Sequence, residues 1–81
     1  MNIPVTFYSY FKDLTGTSDI AIDLPEGSSI AELMDQIYSK FPKMKSMDRS
    51  TLIAVGVEYQ DRAYALQPGD EVSLFPPVQG G

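Results

Sequence analysis

The chain reads SIAELMDQIYSKFP at residues 29–42, and this stretch predicts the main helix of the fold. Ser29 followed three residues later by Glu32 forms a capping box, which marks the start of a helix. Pro42 ends the helix, because the residue before a proline is pushed out of helical geometry. The spacing of the apolar residues predicts a helix over residues 30–41 with one apolar face. These residues are Ile30, Leu33, Met34, Ile37, Tyr38 and Phe41.

Short stretches on both sides of this helix predict strands. In most of them apolar and polar residues alternate, which is the pattern of a strand with one buried face. The nearly continuous apolar run at residues 52–57 instead indicates a strand that is buried on both faces or central in the sheet. Pro4 cannot donate a hydrogen bond, so the start of the first strand is predicted to be edge-like. The predicted strands are residues 3–8, 19–24, 52–57, 63–66 (a short edge strand) and 71–75.

Loops and turns separate these elements. Residues 9–15 lose the alternation and are predicted to form a loop. Residues 43–50, which hold three of the six cations, have mixed polar composition and are also predicted to form a loop. The Pro68-Gly69 pair predicts a type II turn, since proline sets φ at the first central position and glycine supplies a positive φ at the second.

The order of these elements, β-β-α-β-(β)-β, predicts an α+β fold. The sheet is mixed and has four to five strands, with one main helix packed on one face. Only the helix is long enough to carry a parallel crossover, so the remaining neighbours run antiparallel. The β-grasp arrangement is the compact solution. We expect this domain over residues 1–75 and an extended tail over residues 76–81.

The composition argues against several classes of function. The chain has 81 residues with no Cys and no His, so disulfides, thiolate metal sites and the commonest general base are missing. Its net charge of −5 argues against nucleic-acid and anionic-membrane binding, because both require a cationic surface. No signal-peptide pattern and no membrane-spanning stretch is found. We therefore expect a cytoplasmic protein that holds no metal and is poorly equipped to be an enzyme by itself.

The aromatic residues around the first predicted loop form a candidate contact surface. Tyr8, Tyr10 and Phe11 are too close in sequence to point inward together, so at least one is expected to be exposed. An exposed aromatic side chain favours a partner interface, with incidental exposure as the alternative. The carboxylates show no spacing typical of a catalytic pair or a calcium loop, and we expect them to form a solvated acidic surface.

The ending, residues 75–81, carries the most specific signal. The Pro76-Pro77 pair favours an extended polyproline II spacer, so the residues beyond it are expected to project from the sheet. Four residues span about 14 Å at full extension, and terminal glycines pass through channels too narrow for side chains. The candidate reactive group is then the α-carboxylate of Gly81. A partner enzyme would convert it to a mixed anhydride with AMP, which sulfide or an amine could displace.

With these residues in view, the sequence resembles the MoaD family, the small sulfur-carrier subunits of molybdopterin synthase within the ubiquitin-like β-grasp superfamily. The likeness covers nearly the whole chain, and its most specific part is the ending FPPVQGG at residues 75–81. The chain departs from the family pattern at Gly56, where Asn is frequent, and at Gln79, where a small residue is usual. The other matching segments are residues 7–16, 24–27, 29–33 and 68–72.

The resemblance implies roles for the residues of the ending. Gly81 would be adenylated by a MoeB-type enzyme that uses ATP, and then converted to a thiocarboxylate. The tail would insert into a MoaE-like large subunit, whose active site moves the sulfur onto a pyranopterin precursor of the molybdenum cofactor. The implied complex is a heterotetramer in which the small subunit is non-catalytic and binds no cofactor. The implied tail and partner-binding residues are Phe75, Pro76, Pro77, Val78 and Gly80.

Three other interpretations stay open. A thiamin-type (ThiS-like) carrier shares the fold and the tail chemistry but delivers sulfur to a thiazole, and the diproline before the tail favours molybdopterin over it. A ubiquitin-like protein modifier would form isopeptide bonds to lysines. A plain β-grasp binding module would have a chemically inert tail.

Overall fold

The computed structural model describes residues 1–77 of the chain. The strands in this range are β1 (Asn2–Phe7), β2 (Asp19–Asp23), β3 (Leu52–Val55), β4 (Glu58–Tyr59) and β5 (Val72–Phe75). The helices are α1 (Phe11–Thr15), α2 (Ile30–Lys40) and a 3₁₀ helix (Pro42–Ser50). Within residues 1–77, no helix combines the length and the apolar character needed to cross a membrane.

The strands form one mixed sheet in the order β2-β1-β5-β3-β4. The strand β1 pairs antiparallel with β2 and parallel with β5, while β3 pairs antiparallel with both β5 and β4. The connection from β1 to its parallel neighbour β5 contains α2. This topology confirms the predicted α+β class and the ubiquitin-like β-grasp arrangement. The strand β5 ends at Phe75, and the division into a domain over residues 1–75 and a tail over residues 76–81 stays a prediction.

The helix α2 supplies one side of the core. Its start carries the predicted capping box, in which the Glu32 N–H donates to Ser29 Oγ at 3.3 Å and the Ser29 N–H donates to Glu32 Oε1 at 3.1 Å. It ends at Lys40. The predicted helix is therefore confirmed to within one residue. The apolar face of α2 and the sheet share one buried cluster, which includes Ile30, Leu33, Ile37, Ile3, Val5, Phe7 and Leu74.

The prediction of a loop over residues 9–15 is wrong, because the short helix α1 begins at Phe11. The Phe11 side chain is fully buried and fixes this helix to the core. Gly16 ends α1 in a left-handed conformation with φ 75°, and its N–H donates to the Lys12 carbonyl at 2.8 Å. A helix of five residues is too short to show an apolar period, so the sequence pattern did not reveal it.

The prediction of a loop over residues 43–50 is also wrong, because the chain forms a 3₁₀ helix there. Met44 is fully buried, and Met47 packs against the core from one turn further along. A spacing of three residues matches the repeat of a 3₁₀ helix. The polar residues around these two methionines hid the pattern, because a search for the α-helical period does not detect it.

The strand predicted over residues 52–57 is shorter than expected. Gly56 turns the chain with a φ of 61°, and Val57 lies fully exposed beyond it. The prediction of an edge strand over residues 63–66 is wrong, since β4 occupies that edge of the sheet and Ala65 makes an isolated bridge. The apolar run at residues 52–57 overestimated the length of β3, because it continues past the end of the strand into the turn at Gly56.

Two local predictions are confirmed. The Asp70 N–H donates to the Gln67 carbonyl at 3.0 Å and Gly69 has a φ of 92°, as the predicted turn requires. The strand β1 lies inside the sheet, but its pairing with β5 covers Val5–Phe7 only. Pro4 therefore has a strand partner on one side only, in β2. The start of β1 is edge-like, as predicted.

Candidate functional site

A groove of about 360 Å³ lies beside the end of β5. Phe75 is the last residue of β5, Leu52 is the first of β3 and Tyr59 is the last of β4, so three strands contribute to its walls. The remaining wall comes from the turn that leaves β1. Aromatic rings and prolines dominate the lining, which makes the groove an apolar surface. The lining residues are Tyr8, Ser9, Tyr10, Leu52, Tyr59, Phe75, Pro76 and Pro77.

The register of the sheet explains why these side chains meet. Leu52 lies opposite Phe75, and Phe7 lies beside Leu74. The Tyr8 N–H donates to the Leu74 carbonyl at 3.1 Å, so the alignment of the two strands continues past Phe7 and brings Tyr8 next to Phe75. Leu74 is buried on the side of α2. Because neighbouring side chains of a strand point to opposite faces, Phe75 faces away from the core.

Phe75 lies at the centre of an exposed aromatic cluster. Its ring centroid is 4.5 Å from that of Tyr8 at an interplanar angle of 13°, and 6.5 Å from that of Tyr59 at 72°. These are the stacked and edge-to-face arrangements that aromatic pairs prefer. Tyr8, Leu52 and Tyr59 keep 41%, 39% and 69% of their surfaces exposed. A contiguous exposed apolar surface of this kind is typical of a protein interface.

The structure brings together the predicted site residues that it describes. Phe75, Pro76 and Pro77 all line the groove. Tyr8 is exposed and Phe11 is fully buried, which confirms the prediction that at least one aromatic residue near the first predicted loop is exposed. The other residues of the predicted tail lie outside the described residues, namely Val78, Gln79, Gly80 and Gly81.

Three residues of the groove were not predicted as site residues, namely Ser9, Leu52 and Tyr59. Leu52 belongs to the apolar run that predicted a strand buried on both faces or central in the sheet, yet it is exposed while the next three residues of β3 are buried. A continuous apolar run gives no local signal that its first residue is exposed. Tyr59 lies on β4, which the sequence pattern did not predict as a strand, and only the pairing of β4 with β3 brings it to the groove.

A charged cluster joins α2, the 3₁₀ helix and the segment before β5. The Arg62 Nη2 donates to Asp48 Oδ1 at 2.8 Å and also to the Asp48 carbonyl, and the Tyr38 hydroxyl donates to the same carboxylate. The hydrogen bond from Tyr38, assisted by Arg62, lowers the pKa of Asp48. Burial and the bond to Asp48 raise the pKa of Tyr38. The cluster links three elements and contains no nucleophile beside a free base.

The other carboxylates of the described chain occupy structural or solvated positions. Asp19 and Asp23 are exposed on β2, as predicted. Asp70 and Asp48 are partly exposed and also hydrogen-bonded. Asp70 accepts from the Tyr64 hydroxyl at 3.1 Å and from the Gln67 N–H at 2.9 Å, and Asp48 belongs to the charged cluster. The hydrogen bond from the Tyr64 hydroxyl to Asp70 raises the pKa of Tyr64. Among residues 1–77, no group of three or more Asp, Glu, His or Cys side chains could hold a metal ion.

The profile of the ThiS family matches residues 5–81. The chain belongs to the ThiS family. The molybdopterin synthase sulfur carrier subunit of Chlamydomonas reinhardtii is 31% identical to it over 84 residues, with full coverage of both chains. The resemblance to small sulfur-carrier subunits that the sequence indicated is confirmed.

Solved structures agree with this ThiS-family assignment. A putative molybdopterin converting factor, subunit 1, from Pyrococcus furiosus superimposes with a TM-score of 0.87 at 30% identity, over 96% of this chain and 99% of that one. A chain from the complex of subunits 1 and 2 of the molybdopterin-converting factor of Helicobacter pylori gives a TM-score of 0.72 at 27% identity, with full coverage of both chains. The likeness therefore extends over the whole β-grasp body.

Proposed function

We propose that this ThiS-family chain is the sulfur-carrier subunit of molybdopterin synthase. The observation that carries the proposal is the exposed aromatic groove around Phe75, at the position where Pro76 and Pro77 lead into the tail. The names of the similar proteins support the same assignment. A chain without His or Cys is suited to this role, because it supplies a reactive terminus and not an active site.

The proposed chemistry begins at the α-carboxylate of Gly81. A free carboxylate is a poor acyl donor, because its negative charge repels nucleophiles and its resonance makes the carbonyl carbon less electrophilic. A MoeB-type enzyme would use ATP to form the acyl adenylate and release pyrophosphate. Sulfide then attacks the acyl carbon, AMP leaves, and Gly81 becomes a thiocarboxylate. The ATP belongs to the partner enzyme, so the carrier itself needs no bound cofactor.

The second step is sulfur donation inside a MoaE-like large subunit. The thiocarboxylate sulfur forms a bond to a carbon of the pyranopterin precursor and displaces an oxygen substituent from that carbon. Water then cleaves the acyl–sulfur bond, which leaves the sulfur on the pterin and returns the carboxylate of Gly81. The dithiolene contains two sulfurs, so two loaded carriers are consumed for each product. Four residues after Pro77 span about 14 Å when extended, which lets the terminus enter a partner while the β-grasp body stays outside. Val78 and Gly80 are the proposed contacts of the partner channel.

The groove is the proposed docking surface for the large subunit. Phe75 and the prolines would anchor the contact, while Tyr8, Leu52 and Tyr59 extend it across the outer face of the sheet. The complex formed by subunits 1 and 2 of the Helicobacter pylori factor supports a large-subunit partner. We propose a heterotetramer of two small and two large subunits, in the cytoplasm where ATP is available to the activating enzyme.

Intact-mass spectrometry tests the proposal. The chain is incubated with ATP, a MoeB-type enzyme and a sulfur donor, and it should gain one sulfur in place of one oxygen. The variant that lacks Gly81 should gain nothing. The loaded chain should then form the dithiolene product with the large subunit and the pyranopterin precursor. Transfer to a thiazole instead indicates a thiamin-type carrier, lysine conjugates indicate a modifier, and an unchanged mass indicates an inert module.

A further inference from the structure

The stack between Tyr8 and Phe75 is an ordered feature of an exposed surface. The two rings are nearly parallel at 4.5 Å, although Tyr8 keeps 41% of its surface in solvent. Burial alone therefore does not hold the Tyr8 ring in place. Its position follows from the backbone on both sides of it.

Both backbone polar groups of Tyr8 are fixed. Its N–H donates to the Leu74 carbonyl at 3.1 Å, which ties it to β5, and its carbonyl accepts from the Phe11 N–H at 3.2 Å, which ties it to α1. Phe11 is fully buried, so α1 is a firm support. The Tyr8 side chain thus starts from a backbone held by the sheet on one side and by the core on the other.

Ser9 adds a strained turn directly after Tyr8. Its φ of 57° lies in the left-handed region, which residues with a Cβ rarely adopt. The Lys12 N–H donates to the Ser9 carbonyl at 3.1 Å and holds this conformation. The turn directs the chain from β1 into α1 and leaves the Tyr8 ring against Phe75. Ser9 itself lines the groove.

We propose that Tyr8 is a positioning residue for the carboxyl-terminal tail. It holds the Phe75 ring and, through it, the direction in which Pro76 leaves the sheet. This inference rests on the proposed function, because it concerns the delivery of the tail to the partner's active site.

The geometry gives the expected consequence for catalysis. Prolines have a fixed φ, so the pair after Phe75 transmits a change of direction instead of absorbing it. A change of direction at Phe75 is therefore carried to Pro77, about 6 Å further along at a polyproline II rise of about 3.1 Å per residue. Misplacement of a reacting group by about 1 Å is enough to cost about 100-fold in rate. A loosened Phe75 should therefore slow sulfur transfer even when the partner is fully bound.

Three variants test this role. In Tyr8→Ala the stack is lost, in Tyr8→Phe the ring is kept without its hydroxyl, and Val57→Ala shortens a fully exposed apolar side chain outside the groove as a control. The single-turnover rate of sulfur transfer from the loaded carrier is measured at saturating large subunit, beside the Kd of the complex. Ring-current shifts of Phe75 and Pro76 protons in the isolated chain report on the stack without any partner.

In Tyr8→Ala we expect the saturating rate to fall about 10- to 100-fold, a larger factor than the rise in Kd, together with altered proton shifts at Phe75 and Pro76. Tyr8→Phe should restore the rate and the shifts, and Val57→Ala should change neither. An unchanged saturating rate in Tyr8→Ala, unaltered Phe75 shifts, or a failure of Tyr8→Phe to restore the rate would overturn the proposal. If the wild-type chain acquires no sulfur, the proposed function itself has failed, and the positioning role fails with it.

Discussion

Asp48 is the residue whose removal should destabilise the fold in a pH-dependent way. Its carboxylate accepts from Arg62 at 2.8 Å and from the Tyr38 hydroxyl, and thereby links the 3₁₀ helix to α2 and to the segment before β5. Lys45 adds a further positive charge nearby. Replacement by Asn keeps the shape of the side chain and removes the charge, so Asp48→Asn isolates the electrostatic part of the cluster.

The magnitude follows from the geometry and the exposure. A hydrogen bond to a charged group contributes about 1.5–3 kcal/mol when it is well shielded. The Arg62 and Asp48 side chains are 37% and 40% exposed, so solvent screening reduces the ion pair to about 1 kcal/mol or less. With the weakened bond from Tyr38, we expect Asp48→Asn to lower the free energy of unfolding by about 1 kcal/mol. In a domain of this size, that change lowers Tm by about 4–8 °C.

The pH dependence gives a sharper test. The pKa of Asp48 is lower in the folded chain than in the unfolded chain, so its stabilising contribution is complete above the unfolded value of about 3.9 and is lost as the pH falls through the folded value. Urea unfolding of the wild type and of Asp48→Asn should show a gap near pH 7 that closes in strong acid. Asp35→Asn, at an exposed position on α2, is the matched control. A gap that is absent near pH 7, or that stays constant into strong acid, would show that the ion pair contributes nothing to the free energy of unfolding.

The remaining predictions concern the groove, the tail and the backbone. Phe75→Ala should weaken binding to the large subunit by about 2 kcal/mol or more, as for a buried aromatic anchor, and calorimetric titration with unchanged affinity would remove Phe75 from the interface. Deletion of Gly81 should abolish sulfur loading in the intact-mass assay and leave Tm unchanged, so retained loading would contradict the role of the terminus. Ser29→Ala should lower the free energy of unfolding by about 1 kcal/mol, because the helix loses its N-terminal cap. Urea unfolding that gives the same free energy for the variant and the wild type would contradict this. Gly56→Ala should lower the free energy of unfolding in urea by about 1–2 kcal/mol. The added Cβ would meet no atom within 4 Å, so this cost comes from the left-handed φ of 61° and not from a clash.

The parts of the fold that repeat over many residues could be predicted from the sequence. The six-residue apolar stripe and the Ser29–Glu32 capping box define α2 from local information alone. The short helix α1 could not be predicted this way, because a single buried side chain, Phe11, holds it in place. The 3₁₀ helix escaped for a related reason, since Met44 and Met47 follow a repeat of three residues within a polar segment.

The candidate site divides in the same manner. Phe75, Pro76 and Pro77 are adjacent in sequence, and their chemistry alone indicated a tail that begins at a strand end. Leu52 and Tyr59 join them only through the pairing of β3 with β5 and with β4. Strand register depends on contacts between distant parts of the chain, so no local pattern reveals which outer-face residues will be neighbours. The groove therefore depends on strand pairing and could not be predicted from the sequence, whereas the predicted tail residues follow from the local sequence alone.

The central place of β5 has a mechanical consequence. This strand runs between β1 and β3 and continues directly into the segment that a partner would grip. A pull along that segment acts parallel to β5, so it loads the hydrogen bonds to both neighbours in shear, and several must rupture together before the strand slides. An edge strand would peel away one bond at a time. A pull on the carboxyl-terminal side of β5 is thus resisted by many hydrogen bonds at once, which protects the fold from unravelling from that end.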